Sequence, residues 1–211
     1  MTVEPEPPAP RKGARSRRTI LRAAADLATL DGLDGLSIGS LARHIGMSKS
    51  GLFAHFASKE ELQLETVDTA KEIFDADVVE PTDAIDDPLE HLRALATAFL
   101  SHVERRVFPG GCFFISVSAE FDTHAGPVKD KLLDFQAEWT QRIEGLIAEA
   151  QERGLLRPDE IPSQLSFELT SYMLMGNTAF VMHDDPAYLR NAQAAIDRRL
   201  EQAAAPVPAD A

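Results

Sequence analysis

The sequence predicts an all-α chain, with an N-terminal three-helix unit of helix-turn-helix form followed by a larger helical body. Three observations carry that expectation. Apolar residues recur at steps of three and four through most of the chain, the spacing that lines one side of a helix. No stretch alternates apolar with polar residues, and no Asn-Gly pair marks a hairpin. Capping residues and Gly or Pro breaks divide the periodic stretches into pieces of ordinary helix length. At 211 residues, with 44% hydrophobic and 26% charged residues, the chain is large enough to bury a substantial core.

Residues 1–14 are rich in Pro and Glu, then basic, and have nothing to pack; a disordered arm is expected. The first helix is expected from about Ser16 to Leu30, with Ile20, Ala24, Leu27 and Ala28 on one side, and "DGLDGLS" ends it. Ser37 is placed to cap a second helix lined by Ile38, Leu41, Ala42 and Ile45. Gly46 stops that helix where a positive φ costs little. Ser48 caps a third, 49–55, whose inward residues are Leu52 and Phe56. Ser58 with Glu61 forms a capping-box pattern, opening a fourth helix to about residue 77. The acidic, proline-bearing 79–88 is a loop, and 89–107 is helical through Leu92, Leu95, Ala96 and Phe99. "FPGG" and "THAGP" bracket a short, nearly all-apolar helix at 112–121. Val128, Leu132, Phe135, Trp139, Ile143, Leu146 and Ala150 follow as one long amphipathic helix, 128–153. Helices at 163–182 and about 187–202 complete the body, and 203–211 is expected to be a disordered tail. The division this implies is a unit at 15–58 and a body at 59–202.

The net charge of −13 is unevenly spread. Residues 11–59 hold nine Lys and Arg against three acids, a local balance of +6 that leaves −19 for the remainder. A basic module on an acidic body implies an anionic partner at one end only. Two short helices joined by a Gly turn and braced by a third describe a helix-turn-helix. If Leu41, Ile45, Leu52 and Phe56 pack on the first helix, then Ser48, Lys49, Ser50, Gly51, Ala54 and His55 lie near the outer surface of the third. Small residues there let the helix axis approach a major-groove floor, while Lys49 and His55 donate to phosphates or base edges. Lys59 is placed to pair with a phosphate.

The stretch "LSIGSLARHIGMSKSGLFAHFASKEEL", with the basic first helix before it, resembles the DNA-binding module of the TetR-type (tetracycline-repressor) family of bacterial regulators across residues 16–64. "GGCFF…AEFD…GPV" (110–128) is similar to one branch of that family. The resemblance implies a recognition helix at 48–55, a phosphate contact by Lys59, and double-stranded operator DNA as partner, with Arg17, Arg18 and Ser37 joining the contacts. It also implies a repressor released by a small-molecule effector. Phe53, counted among the DNA-facing residues, stands where the pattern usually has Tyr, so a phosphate-bonding hydroxyl is missing and packing is its alternative role. Gly51 stands where Thr is frequent and weakens the helix by about 1 kcal/mol relative to Ala.

A reader of this size gains specificity from two half-sites of a palindrome, hence from a dimer. The long helices 128–153 and 163–182 carry continuous apolar stripes suited to a four-helix interface, with Gly145 and Gly176 allowing close approach, or else they fill the monomer core. The remaining body is read as a ligand-binding and dimerisation domain. Around the apolar 112–121 segment, Phe99, His102, Cys112, Phe113, Val117, Glu120, Phe121, Phe135, Trp139, Tyr172, Met173 and Asn177 make either a small-molecule pocket or a plain core.

Other classes are weaker. The chain has no G-x-S-x-G, Gly-rich phosphate loop or H-E-x-x-H, so no enzyme is expected. No cofactor or metal is expected either, since "HDD" (183–185) with His102 or His124 lacks ligand spacing. Cys112 is either an inert small hydrophobe or a reactive thiol. As the single cysteine it excludes an internal disulfide. No run of 18 apolar residues exists and the N-terminus has no signal-type core, so a cytoplasmic protein away from membranes is expected. An activator, or a helix-turn-helix used to dock an acidic protein, remains as an alternative.

Overall fold

A computed structural model describes residues 12–206, with side chains from residue 17 onward. The expectations for residues 1–11 and 207–211 lie outside the described residues. Among those described are nine α-helices and no strand: α1 (Lys12–Asp31), α2 (Ile38–His44), α3 (Lys49–Phe53), α4 (Lys59–Phe74), α5 (Pro88–Glu104), α6 (Phe113–Phe121), α7 (Pro127–Glu152), α8 (Pro162–His183) and α9 (Ala187–Ala203).

The N-terminal helices form where the caps predict. Ser37 accepts from the Ser40 amide and Ser48 from the Gly51 amide. Gly46 takes φ +69° in open space after α2, a turn that an L side chain would strain. At α4 the box is shifted by one residue. Ser58 Oγ accepts from the Glu61 amide, 3.0 Å, but the Glu61 carboxylate accepts from Ala57 rather than from the cap itself, 2.5 Å. Ile20, Ala24, Leu41, Leu52, Phe56 and Leu62 close the small core between α1, α2, α3 and α4. Ile45 is only partly buried.

Several boundaries differ from expectation. Helix α1 starts at Lys12, so three residues assigned to a disordered arm are helical. Helix α3 ends at Phe53, leaving Ala54 and His55 in a turn. Helix α4 stops at Phe74 and passes into a π-helical turn, Asp75–Val79, then a 3-10 turn, Glu80–Thr82. The tail is tied down to residue 205: Ala203 is fully buried, and the Ala205 amide donates to Leu155 O at 2.9 Å.

In the body, α5 is packed by the π-turn, α7, α8 and α9, while α4 lies between α1 and α7. Gly176 allows the close approach expected of it, but toward α9 of the same chain: a Cβ there would sit 2.7 Å from Ala192 Cβ. Gly145 is open, with nothing within 4 Å of an added Cβ. No described helix is long and apolar enough to cross a membrane.

Candidate nucleic-acid interface

The outer side of α3 carries Ser48, Lys49, Ser50, Phe53 and Ala54, all exposed, while Leu52 between them is fully buried. Gly51 and His55 are half-buried. Phe53 takes the outward position rather than its alternative packed one; 57% of it is exposed, because the inward positions are already filled by Leu52 and Phe56. Lys49 lies over Gly39, its Cε 3.1 Å from where a Cβ would stand, which brings the ammonium to the start of α2 beside the capping Ser37. Ser37, Ser48 and Ser50 hydroxyls are exposed while capping or bonding each other. Arg18 on α1 is exposed.

Two predicted DNA contacts have internal partners. Arg17 bonds Glu65 and Glu61 on α4, donates to the His55 carbonyl, and stands 4.5 Å over the Phe56 ring. It therefore fastens α1 to α4 and to the end of the recognition segment, and its geometry is that of a brace rather than a free cation. Lys59 donates to Asp34 O at 2.5 Å and Asp34 Oδ1 at 3.2 Å, so a phosphate would have to compete with that carboxylate.

The twelve body residues named from sequence do not converge on one space. Phe99, His102, Phe113, Phe135 and Trp139 belong to a ring cluster centred on Phe74, with Phe114 and Phe108, which sequence reading did not include. Phe114 lies within the apolar 112–121 segment and Phe108 just before it, in the break that precedes α6. Val117 and Met173 are buried, while Phe121 and Tyr172 are half-buried. Asn177 is used structurally, its Oδ1 accepting from the Cys112 amide at 2.8 Å. Cys112 is buried, and burial pushes its thiol up to about 11, which disfavours the reactive thiolate. Glu120 points away from the rings to the other unit: Oε1 accepts from the Leu33 amide, 3.2 Å, and Oε2 from the Asp34 amide, 2.9 Å.

Of those twelve, only Phe135 and Trp139 reach a groove of about 670 Å³ between α4 and α7, which Phe74 also lines. His102 is fully buried and bonds Asp77 on the π-turn, Nδ1 to Oδ2 2.7 Å. Burial lowers the imidazole's pKa against the opposing pull of Asp77, so it is neutral near pH 7. Among the described residues no three His, Cys, Asp or Glu gather as metal ligands.

Outside α8's buried side, Phe167, Leu174, Met175 and Met182 are exposed, at 68%, 45%, 60% and 74%. They stand along one face with the exposed Thr178 and half-buried Ser171.

Two family models match this chain. The model for bacterial regulatory proteins of the tetR family matches residues 20–66, and that for the tetracyclin repressor-like C-terminal domain matches residues 88–196. The HTH-type transcriptional regulator LmrA of Bacillus subtilis is 28% identical over 134 residues, 61% of this chain and 69% of that protein. A TetR transcriptional regulator from Chloroflexus aurantiacus has the same fold, with a TM-score of 0.85 at 24% identity over 92% of this chain and 98% of that one. AibR, solved in complex with isovaleryl coenzyme A and operator DNA, gives a TM-score of 0.71 at 23% identity over 90% and 99% of the two chains.

Proposed function

We propose, from the premise that the chain belongs to the tetR family of bacterial regulatory proteins, that it is a homodimeric repressor released from a palindromic operator when a small molecule binds its body. The observation that carries this is the outward side of α3, where Lys49, Ser50, Phe53 and Ala54 stand exposed on a helix anchored by Leu52. In this reading residues 15–58 read DNA and residues 59–202 hold the effector and the dimer contact. Lys49, Ser50 and His55 face base edges, and Ser37, Ser48, Arg18 and Lys59 position the unit on phosphates. Arg17 acts as a brace. That AibR was crystallised with both an acyl-coenzyme A and operator DNA supports both kinds of partner. The exposed apolar face of α8 supports the dimer. Effector and operator communicate only through a difference in effector affinity between two conformations.

Genomic footprinting with the purified protein identifies the operator, and anisotropy titrations on that duplex test the interface. Lys49→Ala is expected to weaken binding about tenfold with helical content unchanged. With six or so phosphate contacts, log K falls against log salt with a slope of about −5. Undiminished affinity in Lys49→Ala together with a slope near zero would mean that the helix-turn-helix docks something other than DNA.

A further inference from the structure

We propose that the effector is a planar, uncharged aromatic compound carrying a hydrogen-bond donor, which inserts among the rings around Phe74 and donates to Nε2 of His102. The proposal rests on the effector reading above and adds the chemistry the site takes.

Its first ground is an acceptor without a donor. His102 presents Nδ1 to Asp77, and that carboxylate also takes Arg105 Nη2 at 2.7 Å. A carboxylate accepts, so the ring proton sits on Nδ1 and Nε2 is a bare lone pair. Nε2 is buried and has no hydrogen-bond partner. A buried acceptor left unmet is unfavourable, and a ligand N–H or O–H reaching it removes that penalty.

The second ground is the shape and polarity around it. The Phe74 centroid lies 5.7 Å from His102, 5.9 Å from Phe114, 5.2 Å from Phe135 and 5.5 Å from Trp139, each edge-on. One pair departs from that pattern: Phe114 and Phe135 lie face to face, 3.4 Å apart and 5° from parallel. Ring quadrupoles favour edge-on or offset contacts over a direct sandwich. This pair is thus the least favourable in the cluster and the contact an incoming flat ring replaces most readily. Phe135 and Trp139 are half-exposed in the α4–α7 groove, and Phe74, which lines it with them, is the one ring between that groove and His102. A charged ligand is disfavoured because the carboxylate beside His102 already holds two donors.

The position also couples. Asp77 lies on the π-turn that continues α4, and α4 begins at Lys59 beside the helix-turn-helix. A donor on Nε2 fixes His102 from one side while Asp77 holds it from the other, so ligand binding is felt at the end of α4.

Umbelliferone, a flat hydroxylated coumarin, and its methyl ether differ only in the donor. Both are titrated into the full chain at mildly acidic pH, where the phenol keeps its proton, and read by calorimetry and by quenching of Trp139, the single tryptophan. Umbelliferone is expected to bind about tenfold more tightly than the ether, the worth of one buried hydrogen bond. In His102→Phe, or in His102→Leu if circular dichroism shows that the first has lost helix, that ratio falls to about one. Equal affinities in the parent, or no binding of either coumarin by a parent that still holds its footprinted operator, overturns the ligand class and leaves the DNA reading intact. Failure to select any operator overturns the DNA reading while the coumarin ratio still decides the site.

Discussion

Arg199 on α9 gathers two carboxylates, Glu160 before α8 and Glu168 within it, and Glu160 is also met by Arg157. The Glu160 side chain is only 7% exposed, while Arg199 is 17% and Arg157 43% exposed, so the network is buried at its centre and open at its edge. The bond from Arg199 is the main reason that Glu160 titrates below the usual carboxylate range, with Arg157 adding to it and burial opposing. Hydrogen bonding likewise lowers Glu168, from Gln164 first and then Arg199. A lowered carboxylate pKa contributes stability that is fully present above the ordinary value near 4.5 and is lost as pH falls through the folded-state value. Glu160→Gln is therefore expected to cost about 2 kcal/mol in urea unfolding at pH 7. The difference from the parent should shrink as pH falls below the ordinary carboxylate range. A gap that stayed constant through that range would show that the charge on Glu160 is not what stabilises the parent. Arg17 gives the same lesson in the N-terminal unit. Its sequence position beside Arg18 pointed to DNA, whereas Glu61 and Glu65, one turn apart on a later helix, take it inward. No local pattern announces a partner some 48 positions along the chain.

At the scale of elements, α8 serves two sides. Leu165, Leu169, Met173 and Phe180 are buried within the chain, and Phe167, Leu174, Met175 and Met182 are left outside. An exposed apolar face of this kind calls for a partner, which in the proposed function is a second copy of the chain. Met175→Glu is expected to raise the dimer dissociation constant about thirtyfold by light scattering and to weaken operator binding in step, since one half-site then binds alone. A dimer of unchanged strength would move the interface to another face. Nine helices were legible because 3.6-residue periodicity and Ser, Gly or Pro punctuation are local signals. The π-turn after Phe74 was not legible, since Asp75–Val79 has no residue that breaks an α-helix. Nor was the fate of the apolar 112–121 segment, which was read as walling either a small-molecule pocket or a plain core. Periodicity says that a side chain is inward; it does not say whether rings from α4 and α7 pack against it.

Across the whole molecule, the body meets the helix-turn-helix unit at several points, among them Gly110 with Thr29 and Arg22 with Val107, and two routes bear on the turn before α2. One is α4 itself, running from Lys59 to the π-turn that holds His102. The other is Glu120 on α6, which caps the amides of Leu33 and Asp34 at the turn between α1 and α2. That turn is also held from α4, where Gln63 Nε2 donates to Leu33 O at 2.9 Å and Lys59 holds the Asp34 carbonyl. Both routes thus converge on residues 33 and 34, next to the N-cap of α2. A dimer reads two half-sites only while its recognition helices keep a fixed separation, so loosening either route lowers affinity without touching a DNA contact. Glu120→Ala removes the α6 route alone. Amide exchange at Leu33 and Asp34 is expected to quicken by an order of magnitude or so, while exchange in α5 and α8 stays as in the parent. Operator affinity should fall about fivefold, within the range typical of coupling between sites. If the two amides exchange faster and affinity does not move, Glu120 only caps a turn and the remaining contacts set the spacing of the recognition helices.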